Sequence, residues 1–328
     1  MPGFPAWFAG ARLTAGACLL FLLAGLSGCA SLVPQTMGLR DAWPQGVAER
    51  TELREVPFFA QQEYQCGPAA LATTLVHAGT PVTPDELVKR VYLPGREGSL
   101  QAEMLAAPRR YGKVSYQIAP RFDDLLREVA AGNPVLVLQD TGAGPITNWH
   151  YAVVVGFDYP AGELYLRSGE TRRLAVPFTV FEYTWKKSNY WAMVTMPPER
   201  IPVTASEAAY LTAVAAMERV AAPGSSFAAY SAALQRWPGN VAASIGLANR
   251  HYALGELKEA ETILRRAHVD HPESVAVINN LAHTLSDLGR NEEALALITQ
   301  VAVTEGSPFA TAVRETRTSI LQRLGRKL

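Results

Sequence analysis

Residues 61–75 read QQEYQCGPAALATTL, with a cysteine set directly before Gly-Pro and an alanine-rich run. Pro68 suits the first turn of a helix, where its missing N–H is not needed, Ala69 to Val76 propagate the helix, and Gly79 ends it. The spacing therefore predicts a helix with Cys66 at its N-terminal end. That position has two readings. Free cysteine is among the most buried residue types and packs well there. Unpaired backbone N–H groups and the helix dipole also favour a thiolate at the same place. Which reading holds depends on what the rest of the chain brings to the sulfur.

Downstream of this helix, TPDEL predicts a second one, with Thr83 as cap, Pro84 in the first turn and Glu86 completing a capping box. Asp123 to Ala131 predicts a third, stopped by Gly132. The pattern then changes to β-branched and aromatic runs: PVLVLQD (134–140), HYAVVVGFD (150–158), ELYLRSG (163–169) and NYWAMVTM (189–196). DYPAG between the second and third marks an antiparallel hairpin. Helices followed by antiparallel strands give an α+β domain, expected over residues 53–200 and closed by PPERIP at 197–202.

From about residue 204 the chain is alanine- and leucine-rich with no strand signal. Pro238 and Pro272, Ala248 and Ala282, Gly255 and Gly289, and Ala260 and Ala294 each lie 34 positions apart. That is the tetratricopeptide period. An upstream copy is degenerate, and residues 307–325 are expected to cap the last repeat, so residues 204–328 form an all-α repeat domain of the kind that binds a protein partner.

Residues 1–28 carry Arg12, an apolar stretch from Leu13 to Leu26 and then small residues, which is the order of an export signal peptide. The following LSGC resembles the lipobox of bacterial lipoproteins. The resemblance implies that Cys29 becomes the acylated N-terminus and that residues 29–52 tether the chain to a membrane. Ala30 and Ser31 lack the aspartate that retains many such proteins at the inner membrane, so the implied location is the outer membrane, facing the periplasm. With Cys18 removed and Cys29 acylated, Cys66 is the one thiol left, and no internal disulfide can form. Lys+Arg and Asp+Glu both number 30, which gives a nucleic-acid role little electrostatic support.

A nucleophilic thiol needs a base. His77 lies in the helix that Cys66 starts, and His251, His268, His271 and His283 lie in the repeats, which leaves His150 at the head of an apolar strand. Cysteine at a helix start and histidine at a strand start together make the helix-against-sheet geometry of papain-like thiol enzymes. VPFFAQQEYQCGPAALATTL with NWHYAVVVGFD closely resembles the C39 and C39-like, or double-glycine, cysteine peptidases. The resemblance runs over roughly residues 53–195 and implies Cys66 as nucleophile, His150 as base and Gln61 as oxyanion donor.

At the third position, where the family usually has aspartate, the sequence has Ser168. Ser168 as a neutral orienter, Glu170 as a substitute carboxylate, with Asp158 less favourably placed, or a site that binds peptides without cutting them are the accounts left open. Asn148, two residues from the histidine on the same strand, points poorly for an orienting role. Trp149, Tyr151, Tyr165 and Trp185 either wall the site or pack the core. Neither GPAA nor GAGPITN (142–148) has the context of a phosphate or dinucleotide loop, so no cofactor or metal is expected. The combined expectation is a lipid-anchored cysteine peptidase acting on peptides or proteins. Its rival is an inactive peptide-binding scaffold.

Overall fold

The computed structural model describes residues 32–61, 65–143, 145–302, 304 and 306–326. Cys29, with the signal and acylation expectations that rest on it, lies outside them. In chain order the elements are α1 (Pro34–Asp41), β1 (Arg50–Glu52), α2 (Cys66–His77), α3 (Pro84–Val91), α4 (Gln101–Arg110), β2 (Val114–Gln117), α5 (Phe122–Ala130), β3 (Val135–Asp140), β4 (Trp149–Asp158), β5 (Glu163–Ser168), β6 (Thr171–Pro177), α6 (Phe178–Trp185) and β7 (Ala192–Met196). Helices alone follow: α7 (Glu207–Glu218), α8 (Pro223–Arg236), α9 (Val241–Ala253), α10 (Leu257–Asp270), α11 (Val275–Asp287), α12 (Asn291–Ile298) and α13 (Ala310–Arg323). The chain is thus an α+β antiparallel-sheet domain followed by a helical repeat region.

The described residues gather into two compact units. One holds the residues up to Thr74 together with Ile118–Ala192, and the other holds Leu75–Gln117 together with Met193 onward. In the first, β3, β4, β5 and β6 pair antiparallel in that order, and β1 pairs with the far end of β4 through Thr51 and Phe157. β3 is buried along its whole length and β4 from Tyr151 to Phe157. Burial on both faces is why these strands read as apolar runs rather than alternations. Phe122, Phe178, Phe181 and Trp185 interlock beside them, with Phe122 edge-on to Phe178 at 5.4 Å and to Trp185 at 6.0 Å between ring centroids.

The tether expectation is corrected for residues 34–41, which fold as α1. The carboxylate of Glu182, fully buried on α6, accepts from the backbone N–H groups of Gln35 (2.9 Å) and Thr36 (2.6 Å), satisfying two donors of the first turn. Gln35 also accepts from the Phe122 N–H and donates to the Pro120 carbonyl. Only Thr36 and Leu39 of the helix are buried, too few to show a period, and the groups that fix it lie some 85 to 147 positions away.

In the second unit Thr83 caps α3 as its sequence predicts, accepting from the Glu86 N–H at 3.3 Å. β2 pairs antiparallel with β7, from Val114 opposite Met196 to Gln117 opposite Met193. Gly255 and Gly289, one repeat apart, both take left-handed φ values, +78° and +80°, directly after α9 and α11. Ala248, Ala260, Ala282 and Ala294 are all buried in one core with Leu281 and Leu285. Small residues are needed where helices close up: a Cβ on Gly246 would stand 2.4 Å from the Tyr230 ring. α7 packs on α4 and β2, and the Ser206 N–H donates to the Tyr116 hydroxyl at 3.1 Å. The repeats are therefore continuous with residues 75–117, across the proline-rich segment that the sequence marks as a boundary.

Candidate active site

Cys66 is the first residue of α2, a helix whose next turns are enclosed on every side: Ala69, Ala70, Leu71, Ala72, Thr73 and Thr74 are all buried. The two threonine hydroxyls are satisfied within the helix, on the carbonyls of Ala69 and Leu71. Small and internally bonded side chains let the helix sit at the centre of its surroundings, and this brings its N-terminus to the sheet. Cys66 itself is half-buried. Burial pushes its thiol above the ordinary thiol range, while the backbone N–H groups of Tyr151, Gly67 and Cys66 pull the other way and do not overcome it. The sequence expectation that the helix end favours a thiolate is thus outweighed in the resting site.

The hydrogen bond to Tyr151 places the sulfur one residue from His150. His150 Nε2 lies 2.8 Å from Ser168 Oγ, and burial lowers the imidazole below the ordinary histidine range. Thiol and imidazole are therefore both held toward their neutral forms. A serine hydroxyl can donate to or accept from the ring, so it does not fix the tautomer as a carboxylate does. When Nε2 donates to Ser168, Nδ1 is left free to take a proton.

The pairing with Ser168 depends on a β-bulge. From the hairpin turn, Asp158 faces Glu163, Phe157 faces Leu164 and Gly156 faces Tyr165, but Val154 then faces Leu166 and Val153 faces Arg167. The extra residue in β4 moves Ser168 onto the sheet face that carries His150, where unbroken alternation would put it on the opposite face. Gly156 at the bulge is required by the approach of β1, because a Cβ there would stand 2.6 Å from the Thr51 carbonyl oxygen. β5 ends at Ser168, Gly169 turns with φ +59°, and Glu170 is exposed in the β5–β6 turn. Asp158 is committed to the hairpin, accepting from Arg50 Nε and the Ala161 N–H.

Gln61 is tied to the same strand ends. Its N–H donates to the Gly169 carbonyl at 3.1 Å, and its Nε2 reaches the Tyr151 carbonyl at 3.5 Å. The backbone of Tyr151 thus sits between the candidate oxyanion donor and the sulfur.

Two side chains that the sequence reading passed over hold this frame. Arg167, buried on β5, donates to the carbonyls of Val56, Arg54 and Arg172 and so fastens the segment leading to Gln61. A charged residue inside the apolar run ELYLRS was its signal. Asp140, buried at the end of β3, accepts from the N–H groups of Asn148 (2.8 Å) and Gly142 (2.9 Å), with Lys187 Nζ at 3.4 Å. These bonds, the one from Asn148 first, hold its carboxyl below the usual range and close the loop that delivers His150. Asn148 is engaged there, and its side chain donates to Thr141 rather than orienting the imidazole.

Of the four aromatics, Tyr151 packs edge-on to Trp191, Tyr165 lies under the Arg173 guanidinium at 3.7 Å, and Trp185 is fully buried. Trp149 alone is exposed, beside His150. No group of three metal-ligating side chains occurs among the described residues.

Residues 53–193 match the Peptidase_C39 like family, and residues 222–268 and 275–302 match two tetratricopeptide-repeat families. Among solved structures, one described as a C39-like peptidase from Bacillus anthracis shares 18% identity at a TM-score of 0.39, covering 45% of this chain and 98% of that one. That likeness is too remote to bear on residue roles. No curated protein matches the chain.

Proposed function

We propose, on the premise that the chain carries a C39-like peptidase domain joined to tetratricopeptide repeats, that it is a cysteine peptidase of the bacterial cell envelope. Cys66 attacks the carbonyl of a peptide bond, His150 takes the thiol proton and passes it to the leaving amine, and water then releases the acyl group from the thioester. The Cys66 N–H and Gln61 Nε2 receive the developing oxyanion. Ser168 accepts from Nε2–H and keeps Nδ1 toward the sulfur. The observation that carries this reading is the convergence on Tyr151 and Ser168: the thiol and Gln61 meet the backbone of Tyr151, and the adjacent His150 is held by Ser168 at 2.8 Å. Burial, which raises the thiol and lowers the imidazole, disfavours charge separation between them in the resting site.

The anchor in this reading is acylated Cys29, at the outer membrane facing the periplasm, and the repeats bind a protein partner. No helix among the described residues is long and apolar enough to cross a membrane. A thiol-directed probe tests the chemistry: wild type reacts, Cys66→Ala does not, and His150→Ala reacts at the rate of a buried, unassisted thiol. Equal rates in wild type and His150→Ala would remove the peptidase reading. They would favour the rival one, a non-cleaving peptide-binding domain, for which the raised thiol and the serine in place of aspartate are the specific observations.

A further inference from the structure

We propose that the face of the first unit around Lys186 and Lys187 is seated on a phospholipid surface, with Trp149, Tyr183, Val180, Ile146 and Leu32 in the headgroup region. The inference rests on the reading of Cys29 as the acylated residue.

Side-chain contacts tie this face together. Lys186 Nζ donates to the Leu32 carbonyl at 2.8 Å, which fixes the start of the described chain to the end of α6. Lys187 Nζ lies 5.2 Å from the centre of the Tyr183 ring and donates to the Gly142 carbonyl at 3.2 Å, which joins α6 to the loop carrying Ile146 and Trp149. Val180, Tyr183 and Lys187 fall at helical spacing on the outer side of this stretch, next to the side where Glu182 holds α1 and Lys186 holds Leu32. Six large hydrophobic side chains are exposed in the first unit among the described residues, and five of them belong to this face, Ile146 at 71% and Trp149 at 49% exposure. Scattered apolar residues need no explanation, but a grouping around two lysines does.

The position of Cys29 identifies the occupant. Only Ala30 and Ser31 lie between it and Leu32, a span of at most about 10 Å. With α1 clamped by buried Glu182, no free tether remains to lift the unit away, so the acyl chains draw this end of the molecule to the lipid. An apolar face that enters the headgroup region lies about 5–10 Å deep, which is within that reach. Tyrosine and tryptophan favour that depth, and lysine favours the anionic headgroups.

The test uses the mature full-length chain, reconstituted in vesicles of phosphatidylethanolamine and phosphatidylglycerol with brominated acyl chains, which quench nearby tryptophan. Among the described tryptophans Trp149 is the exposed one, so wild type is quenched and Trp149→Phe loses most of that quenching. The double variant Val180→Ser with Tyr183→Ser weakens it while leaving Trp149 in place. Mass spectrometry of the N-terminal peptide reads acylation separately. Acylated Cys29 with the same quenching in wild type and Trp149→Phe overturns the seating and leaves the anchor standing, and a Trp149 emission that instead answers to added peptide assigns the face to substrate. An unmodified Cys29 overturns both.

Discussion

In the repeats, Gly255 and Gly289 end two helices in the same way at the same distance, and each alanine of the 34-residue pattern is buried against the neighbouring helix pair. Around Cys66 nothing repeats. Gln61 is five positions away, His150 is 84 and Ser168 is 102, and they meet only because a buried helix, a closed loop and a bulged hairpin bring them together. A fault in the array therefore stays with its neighbours. A fault in the site travels along whichever element supplies the missing partner. The difference is one of contact range, and substitutions on the two sides should separate it.

The largest effect is expected at the site itself. His150→Ala should slow probe reaction of Cys66 by roughly 10²–10⁴, the usual worth of a positioned base, with the thermal transition close to wild type. Reaction rates measured across pH check this, and a loss that merely tracks unfolding would break the contrast. Next comes Leu285→Ala in the repeat core, where Leu285 is fully buried. A cost of about 2–5 kcal/mol is expected by denaturant titration, with Cys66 reactivity in the folded protein unchanged. Gly246→Val should cost about 1–3 kcal/mol through the clash with Tyr230, again without effect on the thiol. If either array variant changes the folded site's reactivity, the two regions are coupled and the comparison fails.

Ser168→Ala should change thiol reactivity by less than about tenfold, because a neutral hydroxyl contributes little to an imidazolium. Glu170→Gln should be silent, given its exposed turn. A drastic Glu170→Gln would mean that the turn rearranges to supply a carboxylate. A small effect is also expected on stability against pH. The folded value of His150 is lowered, so its contribution is present above the ordinary value of about 6.5 and is lost as pH falls toward the folded one. Cys66 is raised, so its contribution is present below the ordinary value of about 8.5 and is lost as pH rises toward its folded one. Melting temperatures of His150→Asn should fall less than those of wild type below about pH 6.5.

Much of both regions was legible in the sequence. The 34-residue offset gave the repeats because each copy writes the same contacts again, and Thr83 and Gly132 marked helix ends through bonds and dihedrals made within a few residues. Cys66 and His150 stood out by elimination, as the one thiol left and the one histidine outside its helix and the repeats. α1 was missed because its fastening is the carboxylate of Glu182, and Asp140 and Arg167 were missed because their acceptors and donors are backbone groups. Every residue offers such groups, so the charge inside ELYLRS marks Arg167 as unusual without showing what it holds.

By itself the sequence determined the order of an α+β domain and a helical array, and it singled out the candidate thiol, the candidate base and the serine at the third position, since each follows from residue identity, local spacing or a resemblance carried by contiguous residues. Only the tertiary structure decided that Ser168 rather than Glu170 meets His150. That choice rests on one extra residue in β4, at the glycine where β1 crosses closest, and a shift of one residue inverts which face every later side chain occupies. It also decided that the thiol and imidazole rest toward neutrality, because the cost of burying charge is set by everything packed around a group and not by the helix end or strand that bears it.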